Sequence, residues 1–264
     1  MPNRMNEDPS AAVLAPPSVA LSPLGAARAL RIFAAYLGAQ LAVAVVVGVL
    51  VGVRNLTAGG PASPGGIQLD PRVTLAAALV ATLVAGLVAL RMVRTTFARD
   101  GGDVARNAVG WKGASARECA RAALQGLGLL AAFVVVGSVL PSRPHALGPL
   151  ARAAMVGGGG RFVWAALACL VAPPTEELVF RGALYAGLAR SWRPAGAAAV
   201  TTAIFVALHG TELGGYWPGW IIVALVGALA LRARLATGSL LPAIALHASY
   251  NLGLVIAVTL QTGP

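Results

Sequence analysis

The chain has 264 residues, of which 58% are hydrophobic and only 11% charged, with a formal net charge of +11. Globular domains carry roughly 25% charged residues, so this composition, with a mean hydropathy of +0.77, argues against a water-soluble fold. Its two cysteines, Cys119 and Cys169, are far apart, and one lies inside an apolar stretch, so they imply no disulfide framework.

In chain order, residues 1–31 are rich in Pro and Ala and weakly charged, and predict a flexible cytoplasmic N-terminal segment. Charge-free stretches then run over 32–53, 73–90 and 122–142. A bilayer-spanning helix needs roughly 20 such residues, so 32–142 holds three accessory spans, the first a retained anchor. Between them, 54–72 is rich in Gly, Pro and Ser and predicts a flexible external linker. Segment 91–121 is the longest polar stretch and predicts a short amphipathic helix on the membrane surface. Gly157 to Gly160 form a four-glycine hinge. A fourth span follows over 162–189, apolar except for Glu176, Glu177 and Arg181. The last three occupy 194–211, 213–231 and 235–264. The expected fold is all-α, a polytopic transmembrane helical bundle of about seven spans.

The positive charge follows this topology. Fourteen of the twenty Lys and Arg fall in the segments that seven spans place on the N-terminal side of the membrane. By the positive-inside rule, that side is the cytoplasm. The charge is therefore a topology signal with some attraction to anionic lipid, and nucleic acid is not an expected partner. The expected location is an integral membrane position in a bacterial inner membrane.

Only Glu176, Glu177 and Glu212 among the nine acids lie beyond residue 119. A carboxylate at bilayer depth costs about 2.5–3.5 kcal/mol on insertion scales, so two adjacent ones need a compensating reason. Pro173-Pro174 predicts a break in the fourth span, because proline removes backbone donors and kinks helices. The carboxylates would then sit in the first turn after the break, near freed N–H groups and the positive end of a half-helix. Glu177 and Arg181, four apart, share a helix face and can pair. Glu176 has no such partner within its helix and reads as a general base. The bland alternative is a helix start, with Thr175 as cap and two glutamates in the first turn of an interfacial helix.

Three histidines exist. His145, beside Pro144 in a polar loop, reads as a surface residue. His209 closes the run Phe205 to His209 in the fifth span, and His247 opens the run His247 to Asn251 in the seventh. His247 and Asn251, four apart, share a face. A lone intramembrane histidine is often a packing residue, but polar groups in lipid should face the bundle interior. Three helices would then direct Glu, His, His and Asn to one place. No His-Glu-x-x-His zinc helix occurs. Ser239, at the start of the seventh span, reads as a helix-starting serine.

Glu-Glu-x-x-x-Arg at 176–181, Phe-x-x-x-His at 205–209 and His-x-x-x-Asn at 247–251 resemble the three motifs of the CPBP intramembrane proteases. This is the CAAX-protease and bacteriocin-processing group, also called Abi. The resemblance covers roughly 160–255 and marks 160–264 as a catalytic transmembrane core; residues 1–120 resemble no named family. It implies cleavage of a peptide bond in or near the membrane. The residue matching Glu176 would activate a water, assisted by that matching His209. The residues matching His247 and Asn251 would stabilise the oxyanion, with Glu177 and Arg181 as the supporting pair and Phe205 beside them. The expected substrate is a peptide or membrane-anchored protein, with C-terminal processing or sorting-signal removal among the family's activities. No cofactor is expected; were a divalent metal present, Glu176, His209 and His247 would hold it. Two other classes fit the same residues: a proton- or ion-coupled transporter, and a non-catalytic membrane scaffold.

Overall fold

A computed structural model of the chain describes residues 23–57, 69–140, 148–156 and 159–262. All regular elements among these residues are helical. In chain order they are α1 (Ala26–Thr57), α2 (Pro71–Thr96), α3 (Gly102–Val109), α4 (Ala116–Val139) and α5 (Pro149–Ala154). There follow α6 (Gly160–Leu188), α7 (Pro194–Leu208), α8 (Gly210–Leu213), α9 (Trp217–Thr237) and α10 (Leu240–Thr262). Among the described residues six helices are long and apolar enough to cross a membrane: α1, α2, α4, α6, α9 and α10. The remaining expected span, the fifth in chain order, is α7, which is apolar but stops after 15 residues. At 1.5 Å per residue it reaches about 22 Å, against a hydrocarbon core of about 30 Å.

The charge-free windows misplace several ends. α1 begins at Ala26, within the segment expected to be flexible, and takes in Arg28 and Arg31. It also runs on to Thr57, into the expected linker, whose residues 58–68 lie outside the described residues. α9 starts at Trp217, not 213, and continues through Arg232 and Arg234 to Thr237. An arginine does not stop a helix: Arg28, Arg31 and Arg232 are exposed on theirs, and the Arg234 guanidinium packs against Gly110 at the end of α3. Residues 1–22, His145, Gly157 and Gly158 are likewise outside the described residues.

Local chemistry fixes several starts. Asp70 accepts the Arg72 N–H at 2.8 Å ahead of α2. Ser115 and Glu118 form a reciprocal capping box at the start of α4. The amphipathic helix expected in 91–121 is α3, which buries Ala105, Ala108 and Val109 and ends at Gly110 with φ 75°. The Gly110 carbonyl accepts the Leu240 N–H at 2.8 Å. Ser239 donates its hydroxyl to the Lys112 carbonyl at 2.6 Å and accepts the Leu241 N–H at 3.1 Å. It is thus the helix-starting serine expected, and it also ties the α3–α4 link to the α9–α10 turn.

The most extensive helix pairings are α4 with α10 and α1 with α2. Gly126 of α4 lies directly against the Leu246 carbonyl and the Ser249 hydroxyl of α10, and Ser249 donates to the Ala123 carbonyl at 2.8 Å. Small residues let helix backbones approach and hydrogen-bond in lipid. One apolar core joins Ile32 of α1 and Ala85 of α2 to Phe180, Phe205 and Leu246. The outer face of α1 exposes Leu41, Val45, Val49, Leu50 and Val53, a surface suited to lipid and not to water.

α6 departs from expectation. Pro173-Pro174 does not break it: the helix runs through, with i→i+5 segments at Leu167–Val171 and Leu178–Leu184 around one α segment, Ala172–Glu177. The Ala172 N–H reaches back to the Leu167 carbonyl, so the helix widens ahead of the prolines and continues past them. Glu176 and Glu177 therefore sit at the end of the α segment and not at a free helix N-terminus, which also removes the helix-start alternative. Gly86 of α2 packs on Thr175; a Cβ there would lie 2.7 Å from its hydroxyl. The second wide segment is buried along its whole length, Arg181 included.

Candidate active site

The buried charges form a closed set. Glu177 has no exposed surface and Arg181 is 3% exposed. Arg181 Nη1 donates to Glu177 Oε1 at 3.0 Å, and Nη2 donates to the Gly227 carbonyl of α9 at 3.0 Å. A Cβ on Gly227 would stand 3.2 Å from Nη2, so glycine is what lets that carbonyl reach the guanidinium. The guanidinium also lies 4.3 Å from the Phe205 ring centroid, within cation–π range. Phe205 in turn contacts His209 at 4.5 Å and His247 at 5.8 Å between ring centroids.

Both imidazoles are oriented from behind. His247 Nδ1 lies 2.9 Å from Glu177 Oε1, so an ionised Glu177 accepts a hydrogen bond from Nδ1–H. His209 Nδ1 lies 2.7 Å from the Phe205 carbonyl, which can only accept, so Nδ1 carries that proton. Each ring therefore turns Nε2 inward. Glu176 Oε2 stands 3.8 Å from His209 Nε2 and 3.9 Å from His247 Nε2. Those distances exceed a direct hydrogen bond, and a small opening of the three groups would let one water set to the side reach them all. Glu176 Oε2 is buried with no hydrogen-bond partner among the described residues. Glu177 Oε2 is in the same condition.

Glu176, His209, His247 and Asn251 line one cavity of about 430 Å³. Asn251 Nδ2 donates to the Ala168 carbonyl of α6 at 2.7 Å. All seven residues singled out from the sequence thus meet in one cluster carried by α6, α7 and α10. His209 caps the end of α7, its N–H reaching back to the Val206 carbonyl at 3.0 Å. Among the described residues no group of three or more His, Cys, Asp or Glu side chains is disposed to hold a metal ion.

The sequence reading missed Tyr36 and Gln40 of α1 and Thr82 of α2, which line the same cavity. Tyr36 and Gln40 are polar groups four apart in a charge-free span, the very signal that singled out His247 and Asn251. Glu212, on α8, also borders the cavity, and both its oxygens lie within 3.3 Å of the Leu150 N–H.

A helical bundle with a carboxylate facing two imidazoles just beyond hydrogen-bond reach, on the wall of a cavity among apolar spans, has the makings of a membrane-embedded hydrolytic site. Residues 158–253 match the model of the family described as Rce1-like, type II CAAX prenyl endopeptidase Rce1-like. That stretch contains every site residue named from the three motifs and matches the CAAX protease family they resemble. The match indicates a protease acting on peptide bonds. No curated protein and no solved structure matches the chain.

Proposed function

We propose that this chain is an intramembrane endopeptidase in which Glu176 and His209 activate a water and His247 stabilises the oxyanion. The observation that carries the reading is the unpartnered Glu176 oxygen, 3.8 and 3.9 Å from two inward Nε2 atoms. A water admitted from the cavity beside this pair donates one proton toward Glu176 Oε2 and one toward the bare Nε2 of His209. As the water attacks the scissile carbonyl, Glu176 takes a proton and later passes it to the departing amine. The oxyanion that forms needs a fixed donor in a poorly solvating cavity. His247 supplies it when its Nε2 is protonated, and the charges then balance: Glu176 and Glu177 against Arg181 and His247. Glu177 is the positioning residue that holds both cations.

The substrate is a peptide or membrane-anchored protein whose scissile segment enters this cavity, and removal of a C-terminal segment is the form of processing we favour. The chain sits in a bacterial inner membrane with its N-terminus in the cytoplasm, on the strength of the arginine asymmetry. No metal is required.

The test is cleavage of candidate membrane-anchored substrates by purified protein in lipid. E176Q should abolish cleavage while leaving the fold and thermal stability intact, and wild-type activity should survive strong chelators. Equal activity in E176Q, or wild-type protein that cleaves nothing yet moves protons in liposomes, overturns the reading. Chelator loss rescued by zinc would overturn the metal-free part alone, and a reporter fused after Pro264 that reads cytoplasmic would mean that the number of crossings is not seven. Comparing membrane proteomes with and without the gene, for proteins that retain a terminal segment, finds the substrate.

A further inference from the structure

We propose that Asn251 is a positioning residue: it closes the backbone gap that Pro173 opens in α6 and thereby fixes the spacing between Glu176 and His247. This rests on the peptidase reading for its catalytic consequence, but not for the bond itself.

The wide turn Leu167–Val171 pairs Ala172 N–H with the Leu167 carbonyl, one residue further back than an α-helix would. In that register the Ala168 carbonyl would accept from residue 173. Pro173 has no N–H, so the carbonyl is left without its helical partner on the half-buried wall of the cavity. A backbone carbonyl held away from water without a donor is destabilising. Asn251 answers it from another helix, 83 residues away in sequence, at 2.7 Å. A carbonyl cannot donate, so the Asn251 atom facing it is the amide nitrogen, and one of its two N–H bonds is committed there.

The placement gives this bond a mechanical meaning. Ala168, Ala172 and Glu176, spaced four apart, all border the cavity. α6 and α10 are joined there at two points: Asn251 to Ala168, and His247 Nδ1 to Glu177 at 2.9 Å. Glu176 lies between the two along α6, so its 3.9 Å approach to His247 Nε2 is set by both. Release of one join lets the carboxylate drift relative to the imidazole. Misplacement of a catalytic group by about 1 Å can cost about 100-fold in rate.

The experiment is a double-mutant cycle between residues 173 and 251. N251A should lower kcat by about 100-fold with little change in KM. P173A supplies an N–H that can take the Ala168 carbonyl in the i→i+5 register. The double variant P173A/N251A should therefore recover most of the lost kcat, and the thermal cost of N251A should be smaller in the P173A background. If Asn251 acts directly on the oxyanion, N251A stays equally impaired in both backgrounds, and that result overturns the proposal. Additive changes in Tm overturn it as well. Wild-type protein without any cleavage overturns the peptidase reading, while Tm coupling still decides the bond. Should P173A fail to fold, hydrogen exchange of the Asn251 amide in the unaltered protein decides: one slow and one fast proton supports the bond, and two equal rates overturn it.

Discussion

Arg181 is the residue on which the buried electrostatics turn. It makes one hydrogen bond to Glu177, one to the Gly227 carbonyl, and stacks on Phe205. Breaking a buried ion pair by removing one partner costs about 3–5 kcal/mol, because the other charge is left uncompensated. R181L should therefore destabilise the protein by about that amount in thermal or denaturant unfolding, and E177L/R181L should be markedly less destabilised than R181L alone. R181K should not rescue activity, since a single ammonium cannot serve Oε1, a backbone carbonyl and an aromatic face together. A near-neutral R181L would mean that Glu177 is held by His247 alone.

At the scale of elements, the short pieces around the cavity carry their own titration. Glu212 of α8 holds the Leu150 N–H at the start of α5. Burial raises its pKa above the ordinary glutamate value, with the Leu150 N–H and then the Arg152 charge pulling the other way. A raised folded-state pKa means that the native protein holds the proton more tightly than the unfolded chain does. The stability from this group is present below about pH 4.3, the ordinary glutamate value, and is lost as pH rises through the raised one. E212Q keeps an acceptor for Leu150 without the charge. Its Tm should match wild type near pH 4 and exceed it at neutral pH; a constant difference across that range would refute the assignment. The same scale shows what was legible in advance. The three polar motifs, their helices and their convergence could be read from the chain because ionisable and amide groups are rare in apolar spans. Helix ends could not, because arginine at an interface does not stop a helix. The continuity of α6 through Pro173-Pro174 could not either, because it depends on a widened turn and on a partner for the Ala168 carbonyl in α10. Tyr36 and Gln40 carried the right spacing but no charge to draw attention.

For the whole molecule, α1 and α2 share the apolar core with the helices that carry the three motifs and also line the cavity. The N-terminal half is thus part of the wall that a substrate would meet, although the family match begins at residue 158. The 15-residue α7 bears on the surrounding membrane. Its outward side carries Ala199, Ala203 and Ala207, which are exposed, and its last turn delivers His209. Acyl chains that meet a helix this short must compress or leave the polar end uncovered. Headgroup water drawn down beside His209 in this way would give the hydrolytic step its supply from the flank of the bundle. Vesicles of graded chain length report on this directly: turnover should fall as the lipids lengthen, and a rate indifferent to chain length would mean that the water arrives by another way.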